Sequence, residues 1–239
     1  MLSKKEYPVS ARALLQTAVA AHSTKAVEQL IQNINRDIKS KTVKAALMQD
    51  LLFMASQKNK TEVMSLAIKN GADVNKKDTE GNTLLYLAMH NQDSQAGVGA
   101  ANFLCSQPGF DVNAKDHYNR PILYYAIHHF QSLNQRDESD KTIPIRRQNC
   151  LDIVVQLVKN PKIELNEKID GKTLLEFAVH VAIRNKDTAL LETMLEAVTS
   201  DPTRHQDICK KMLKNVEKKR SKIGDSHFDN IKAIENFII

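Results

Sequence analysis

NGADVNKKDTEGNTLLYLAMH, residues 70–90, decides the fold. It reads as the end of one helix, a turn and the start of another. Gly71 stops an apolar helical run where a left-handed C-cap is best served by a residue without a Cβ. Asp73-Val74-Asn75 is short and extended, and residues 78–81 supply turn chemistry. Thr83 then precedes Leu84, Leu85, Leu87 and Ala88, an apolar run suited to a buried helix. The same grammar returns at 109–128 (GFDVNAKDHYNRPILYYAIH) and at 162–180 (KIELNEKIDGKTLLEFAVH). Such recurrence predicts a stack of repeats.

Working outward, a small residue in the first helix of each unit aligns Ala18, Ala55, Ala88, Ala126 and Ala178, at spacings of 37, 33, 38 and 52 residues. A period of 33 residues with a turn and two antiparallel helices resembles the ankyrin repeat. Residues 47–117 carry the resemblance most clearly, since GADVNKKD and GFDVNAKD are similar to that family's G-A-D-V-N-A-x-D hairpin. The family's T-P-L-H-x-A helix start is partly matched by Thr83–Ala88, by Pro121–Ala126 and by Thr173–Ala178, each without the His. Hydrogen bonds made between repeats by that His are therefore expected to be missing. The resemblance implies an all-α ankyrin-repeat solenoid of about five helix-turn-helix units, closed by C-terminal capping helices.

The units fall at about 8–36, 41–78, 79–117, 118–169 and 170–199, so the array covers residues 1–199. The first unit predicts helices at 10–21 and 24–34, with a hairpin degraded to 33–37. The second predicts helices at 42–57 and 61–69, with Leu47, Leu51, Leu52 and Ala55, then Val63, Met64, Ala67 and Ile68, at helical spacing. The third unit carries extra residues around 91–99. The fourth carries an insertion, 131–149, whose polarity, mixed charge and Pro144 predict an exposed loop before a helix resumes at Cys150 with Leu151, Val154, Val155 and Val158 apolar. The fifth predicts helices at 173–184 and 187–198. Residues 200–239 do not match the repeat and read as a helical cap that includes a basic helix, because the last unit of a solenoid must cover its open face.

Bulk properties agree with a helical protein lacking membrane spans. Only 5% of the 239 residues are aromatic and Trp is absent, so small and medium side chains must fill the core. The three cysteines, Cys105, Cys150 and Cys209, lack CxxC spacing and read as reduced thiols at apolar positions of a cytoplasmic protein. No apolar segment approaches the ~20 residues that span a bilayer. The first ten residues carry charges without a following apolar stretch, against a signal peptide. The net charge of +6 is concentrated in 204–222, which holds eight basic and two acidic residues. Contact with nucleic acid or an anionic membrane through that helix is an alternative reading, weakened because no aromatic residue there would stack on bases.

Catalytic patterns are absent: the sequence has no G-x-G-x-x-G, P-loop, H-E-x-x-H or G-x-S-x-G. Carboxylate pairs such as Asp137/Glu138 lie in the insertion, a poor place to tune a pKa by burial. Together with that absence, the resemblance implies non-catalytic recognition of a protein partner, with no cofactor, by a monomer; a housekeeping adaptor or inhibitor is an alternative to an effector. In the ankyrin family such contacts come from hairpin tips and exposed first-helix positions. Slot by slot, the resemblance implies Thr79, Glu80 and Asn82, then His117, Tyr118 and Arg120, then Ile169, Asp170 and Lys172 at the tips. On the helices it implies His90 and Asn91, His128 and His129, and His180 and Val181. Histidine recurs in one slot as His90, His128 and His180, a ladder that would meet a partner. It would not hold a metal, because ligands converge at about 2 Å whereas packed helices lie about 10 Å apart. Tyr118 reads as an exposed anchor, and Tyr125, aligned with Leu87 and Phe177, as core. The chain is also rich in Lys, Asn, Gln and Ile, and in this it looks like stand-alone ankyrin proteins that intracellular bacteria deliver into host cells to seize a host protein.

Overall fold

Short helices joined in pairs by tight turns make up most of the structure, a computed structural model that describes residues 6–89, 97–133, 141, 143–169, 171–185 and 190. The helices are α1 (Glu6–Ala20), α2 (Thr24–Asp37), α3 (Lys41–Gln57), α4 (Thr61–Lys69), α5 (Leu84–Met89), α6 (Gly97–Cys105), α7 (Ile122–Leu133), α8 (Ile143–Val158) and α9 (Leu174–Asn185). A two-stranded hairpin, β1 (Lys168–Ile169) with β2 (Lys172–Thr173), precedes α9. The first helices of the units, α1, α3, α5, α7 and α9, each pack on the next, and α2, α4, α6 and α8 form a second row behind them. The array is thus an all-α solenoid two helices thick.

The aligned alanines explain why the first row packs tightly. Ala55, Ala88, Ala126 and Ala178 have no exposed surface and Ala18 has 7%, so each helix meets its neighbours across a side chain of one carbon. Around them Leu51, Leu52, Leu85, Leu123 and Leu175 are fully buried, each contributing about 2 kcal/mol of apolar burial. Helix starts are capped as their residue types demand. Ser23 and Ser40 accept from the amides of Ala26 and Val43, and Thr83 accepts from Tyr86 N–H at 3.2 Å. Thr173 and Glu176 form a reciprocal capping box, Glu176 N–H to Thr173 Oγ1 at 3.1 Å and Thr173 N–H to Glu176 Oε2 at 2.9 Å.

Two boundaries differ from the sequence reading. Residues 33–37 are no degraded hairpin: α2 runs through Asp37 and closes when Ile38 N–H donates to Ile34 O at 3.0 Å. No glycine interrupts that stretch, and Ile34 and Ile38 are both buried, so packing carries the helix one turn further. The insertion is shorter than 131–149, because α7 continues to Leu133 and α8 already begins at Ile143. Leu133 and Ile143 are buried, and Pro144 sits in the first turn of α8, where its missing N–H costs nothing. Residues 134–140 and 142 lie outside the described residues. So do the second helix of the fifth unit, apart from the buried Leu190, and the expected C-terminal cap and basic helix of 200–239.

Side-chain amides bind each unit to the next. Asn75 donates to Gly109 O and accepts from Asp111 N–H, both at 2.8 Å. Asn113 repeats this one unit later, with Lys162 O at 2.8 Å and Glu164 N–H at 2.9 Å. Within the second unit Gln49 makes a similar pair to Asp73, 3.1 Å to its O and 2.9 Å from its N–H, whereas the two asparagine clasps cross from one unit to the next. These clasps supply bonds between units where the motif's histidine is absent.

Candidate functional site

The turns at 78–82, 116–120 and 168–172 stand in file along one edge of the stack. Adjacent turns touch, since a Cβ added to Gly81 would lie 3.0 Å from His117 Cβ, and Lys115 forms an ion pair with Glu167 of the following unit. Each turn needs one left-handed residue, which is Gly81 (φ 80°), Asn119 (φ 60°) and Gly171 (φ 80°). Glycine and asparagine are the residues that reach this region cheaply.

Asp116 is the centre of the middle turn. Its Oδ1 accepts from Tyr118 N–H at 2.9 Å and Arg120 N–H at 2.8 Å, and its Oδ2 accepts from Arg120 Nε at 3.2 Å and Arg120 Nη2 at 3.0 Å. The Tyr125 hydroxyl donates to the same Oδ2. Burial works to raise this carboxyl, but the bonds from Tyr125 and Arg120 and the Arg120 charge outweigh it and hold the pKa below the usual carboxylate range. Burial, and then Asp116, push the Tyr125 phenol up, so it stays protonated and donates. The carboxylate fixes Arg120, and Arg120 in turn lies over two rings, 4.4 Å from the Tyr118 centroid and 4.9 Å from that of Tyr125. Tyr118 is 65% exposed; Arg120 on its face and His117 at 3.8 Å hold it in place.

An aromatic strip runs from this cluster across the first-helix row. Tyr86 meets Tyr125 edge-on at 5.0 Å, and Tyr124 stacks on Phe177 at 4.9 Å. In both pairs a residue two before the aligned alanine touches the residue one before it in the next unit. Tyr124 also joins Tyr125 at 6.1 Å and stacks with His128 at 5.9 Å.

The expected contact residues divide into three groups. Thr79, Glu80, His117, Tyr118, His128 and Lys172 are exposed, and Arg120, His129, Ile169 and His180 are half-buried. Asn82 and Val181 are buried. Asn82 spends its amide on Asp78 Oδ2 at 3.1 Å and Glu80 Oε2 at 3.3 Å, which corrects its reading as a contact position. His90, Asn91 and Asp170 lie outside the described residues, so only two members of the histidine slot, His128 and His180, are seen, on the packed pair α7 and α9. Tyr125 is corrected as well: it is half-buried and tied to Asp116, not a core residue. The alignment with Leu87 and Phe177 concealed this. An aspartate nine residues before a tyrosine was the available signal.

Other chemistry finds little support among the described residues. No group of three His, Cys, Asp or Glu there could hold a metal ion. Burial pushes the Cys105 thiol up to about 11 and that of Cys150 to about 12, so both are protonated near neutrality and poor nucleophiles. Cys209 lies outside the described residues. No helix described is long and apolar enough to cross a membrane.

Comparison with known proteins gives one finding. Residues 14–116 and 51–137 match a family model described as ankyrin repeats (3 copies), together spanning more than half of the chain. No curated protein matches the sequence.

Proposed function

The chain belongs to the ankyrin-repeat family, whose members are in general protein–protein interaction modules, and from that premise we propose that it recognises a protein partner through the turn edge and first-helix face, without catalysis. The observation that carries this is the Tyr118–Arg120–Asp116 assembly. A large aromatic ring stands 65% exposed, yet its neighbours are fixed by a buried carboxylate. An anchor held in this way loses little side-chain freedom when it docks, which is where much of the cost of association arises. His117, His128 and Lys172 are exposed positions that extend the contact, together with the half-buried His129 and His180, while His90 and Asn91, outside the described residues, are assigned to it by their place in the repeat alone. The partner is met in the cytoplasm, by one copy of the chain.

Affinity capture from cell lysate, with wild type beside Tyr118→Ala, tests the reading. A partner retained by wild type and lost with the variant is the expected result. A partner held equally by both would remove Tyr118 from the interface. The composition further supports an effector that seizes a host protein, and a translocation reporter fused to the chain that never reaches the host cytoplasm would count against it.

A further inference from the structure

The acidic and basic groups of the turn edge are used very differently. Most of the acids are engaged in holding the backbone. Asp73 and Asp111 accept from the amides of Asn75 and Asn113, at 2.8 Å and 2.9 Å. Asp78 accepts from Glu80 and Asn82 N–H, at 2.9 Å and 2.8 Å. Asp116 holds Arg120, and Glu167 holds Lys115. By contrast Lys76, Lys77, Lys168 and Lys172 are exposed, and among the described residues none of them enters an ion pair or a side-chain hydrogen bond. They flank the exposed His117 and Tyr118 of the middle turn on either side.

We infer that this edge binds an acidic, extended peptide segment, with carboxylates on Lys76/Lys77 and Lys168/Lys172 and an apolar side chain on Tyr118 between them. The inference rests on the proposed protein-recognition reading and specifies its partner. Consecutive units sit about 10 Å apart, as packed helices do, and an extended peptide advances about 3.3 Å per residue. One unit of the stack therefore matches about three residues of ligand, so that carboxylates about six residues apart meet the two lysine groups, which stand two units apart. The exposed acids on the same edge, Asp73, Glu80, Asp111 and Glu164, argue for a peptide over a nucleic acid. Duplex DNA presents a charge about every 1.7 Å along its axis and cannot avoid them, whereas a peptide places its carboxylates only where the lysines stand.

Fluorescence anisotropy at low ionic strength provides the test, using a labelled 15-residue peptide of (Glu-Ser-Leu)5. The controls are (Gln-Ser-Leu)5 and a 15-base-pair duplex DNA of mixed sequence. Wild type is expected to bind the Glu peptide at least tenfold more tightly than the Gln peptide or the DNA. The variant Lys76→Glu/Lys77→Glu/Lys168→Glu/Lys172→Glu should lose that preference. Lys25→Glu/Lys69→Glu, on the opposite row of helices, should keep it. Circular dichroism matching wild type establishes that the fourfold variant is folded, and single reversals at Lys77 and Lys172, each expected to weaken binding severalfold, serve if it is not. Equal binding of Glu and Gln peptides, or an unaffected set of variants, overturns the inference. Preference for the DNA through the same lysines overturns it in favour of a nucleic-acid edge. If the Glu peptide fails while the Tyr118-dependent partner is still captured from lysate, this inference falls and the protein-recognition reading stands.

Discussion

In the turn at 78–82 and in the turn at 116–120 an aspartate does the same work. Asp78 and Asp116 each accept from the amides two and four residues ahead, and each donates its own amide to the carbonyl four residues ahead, at 3.0 Å in both. A left-handed residue follows at the same place in each, Gly81 and Asn119. The difference is the residue after it. Asn82 is buried and turns its amide inward, whereas Arg120 carries a guanidinium out between Tyr118 and Tyr125. One backbone thus yields a plain spacer in one unit and an exposed aromatic anchor in the next, which separates the residues that build the turn from those that give it something to recognise.

The comparison breaks most readily at the aspartates. Asp116→Ala should cost about 3 kcal/mol in urea denaturation, since it strands two turn amides, a guanidinium and a phenol. Asp78→Ala should cost about 2 kcal/mol, because it lacks the Arg and Tyr partners. Equal losses would mean that the cation–aromatic network adds no stability. The pH dependence has a definite sign. The folded pKa of Asp116 is lowered, so its contribution is complete above the unfolded value of about 4 and is lost as pH falls through the folded value. Wild type and Asp116→Asn should therefore converge in stability as pH drops below about 4.

Smaller effects sharpen the same contrast. Asn75→Ala removes both bonds of one clasp and should cost about 1.5 kcal/mol, with faster amide exchange at Asp111 while the exchange of α2 and its contacts is unchanged. Gly81→Ala should cost about 1 kcal/mol, from the positive φ and the contact with His117, whereas Asn119→Gly should be neutral within a few tenths of a kcal/mol. Arg120→Asn copies the neighbouring turn and should change the unfolding free energy by under about 1 kcal/mol. Partner capture should nonetheless fall at least tenfold, which is about 1.4 kcal/mol. Undiminished capture would show that the guanidinium supports nothing the partner uses.

Much of the fold was legible because it depends on local rules. Gly71 and Gly109 announced helix ends and take φ of 96° and 77°, and the aligned alanines marked the buried row. The reading failed where packing overrode composition. Polar, Pro-containing sequence around 143–149 is helical because Ile143 and Cys150 bury one face, and 33–37 stays helical for the same reason. The site was less legible. Tyr118 stood out as a tip residue, and the Asp116–Tyr125 bond spans only nine residues, but the Tyr86–Tyr125 and Tyr124–Phe177 contacts join positions far apart in sequence. Spacing within one unit cannot report what a side chain meets in the next.

The amide clasps at Asn75 and Asn113 also set how the stack would respond to load. Each ties one unit to the next through two bonds, and tension applied along the array reaches them in series. Units that contact only their neighbours give way one at a time. Pulled by its ends, the chain would lengthen in steps, each releasing one seam while the others stay shut, so that it behaves as an extensible tether rather than a brittle strut.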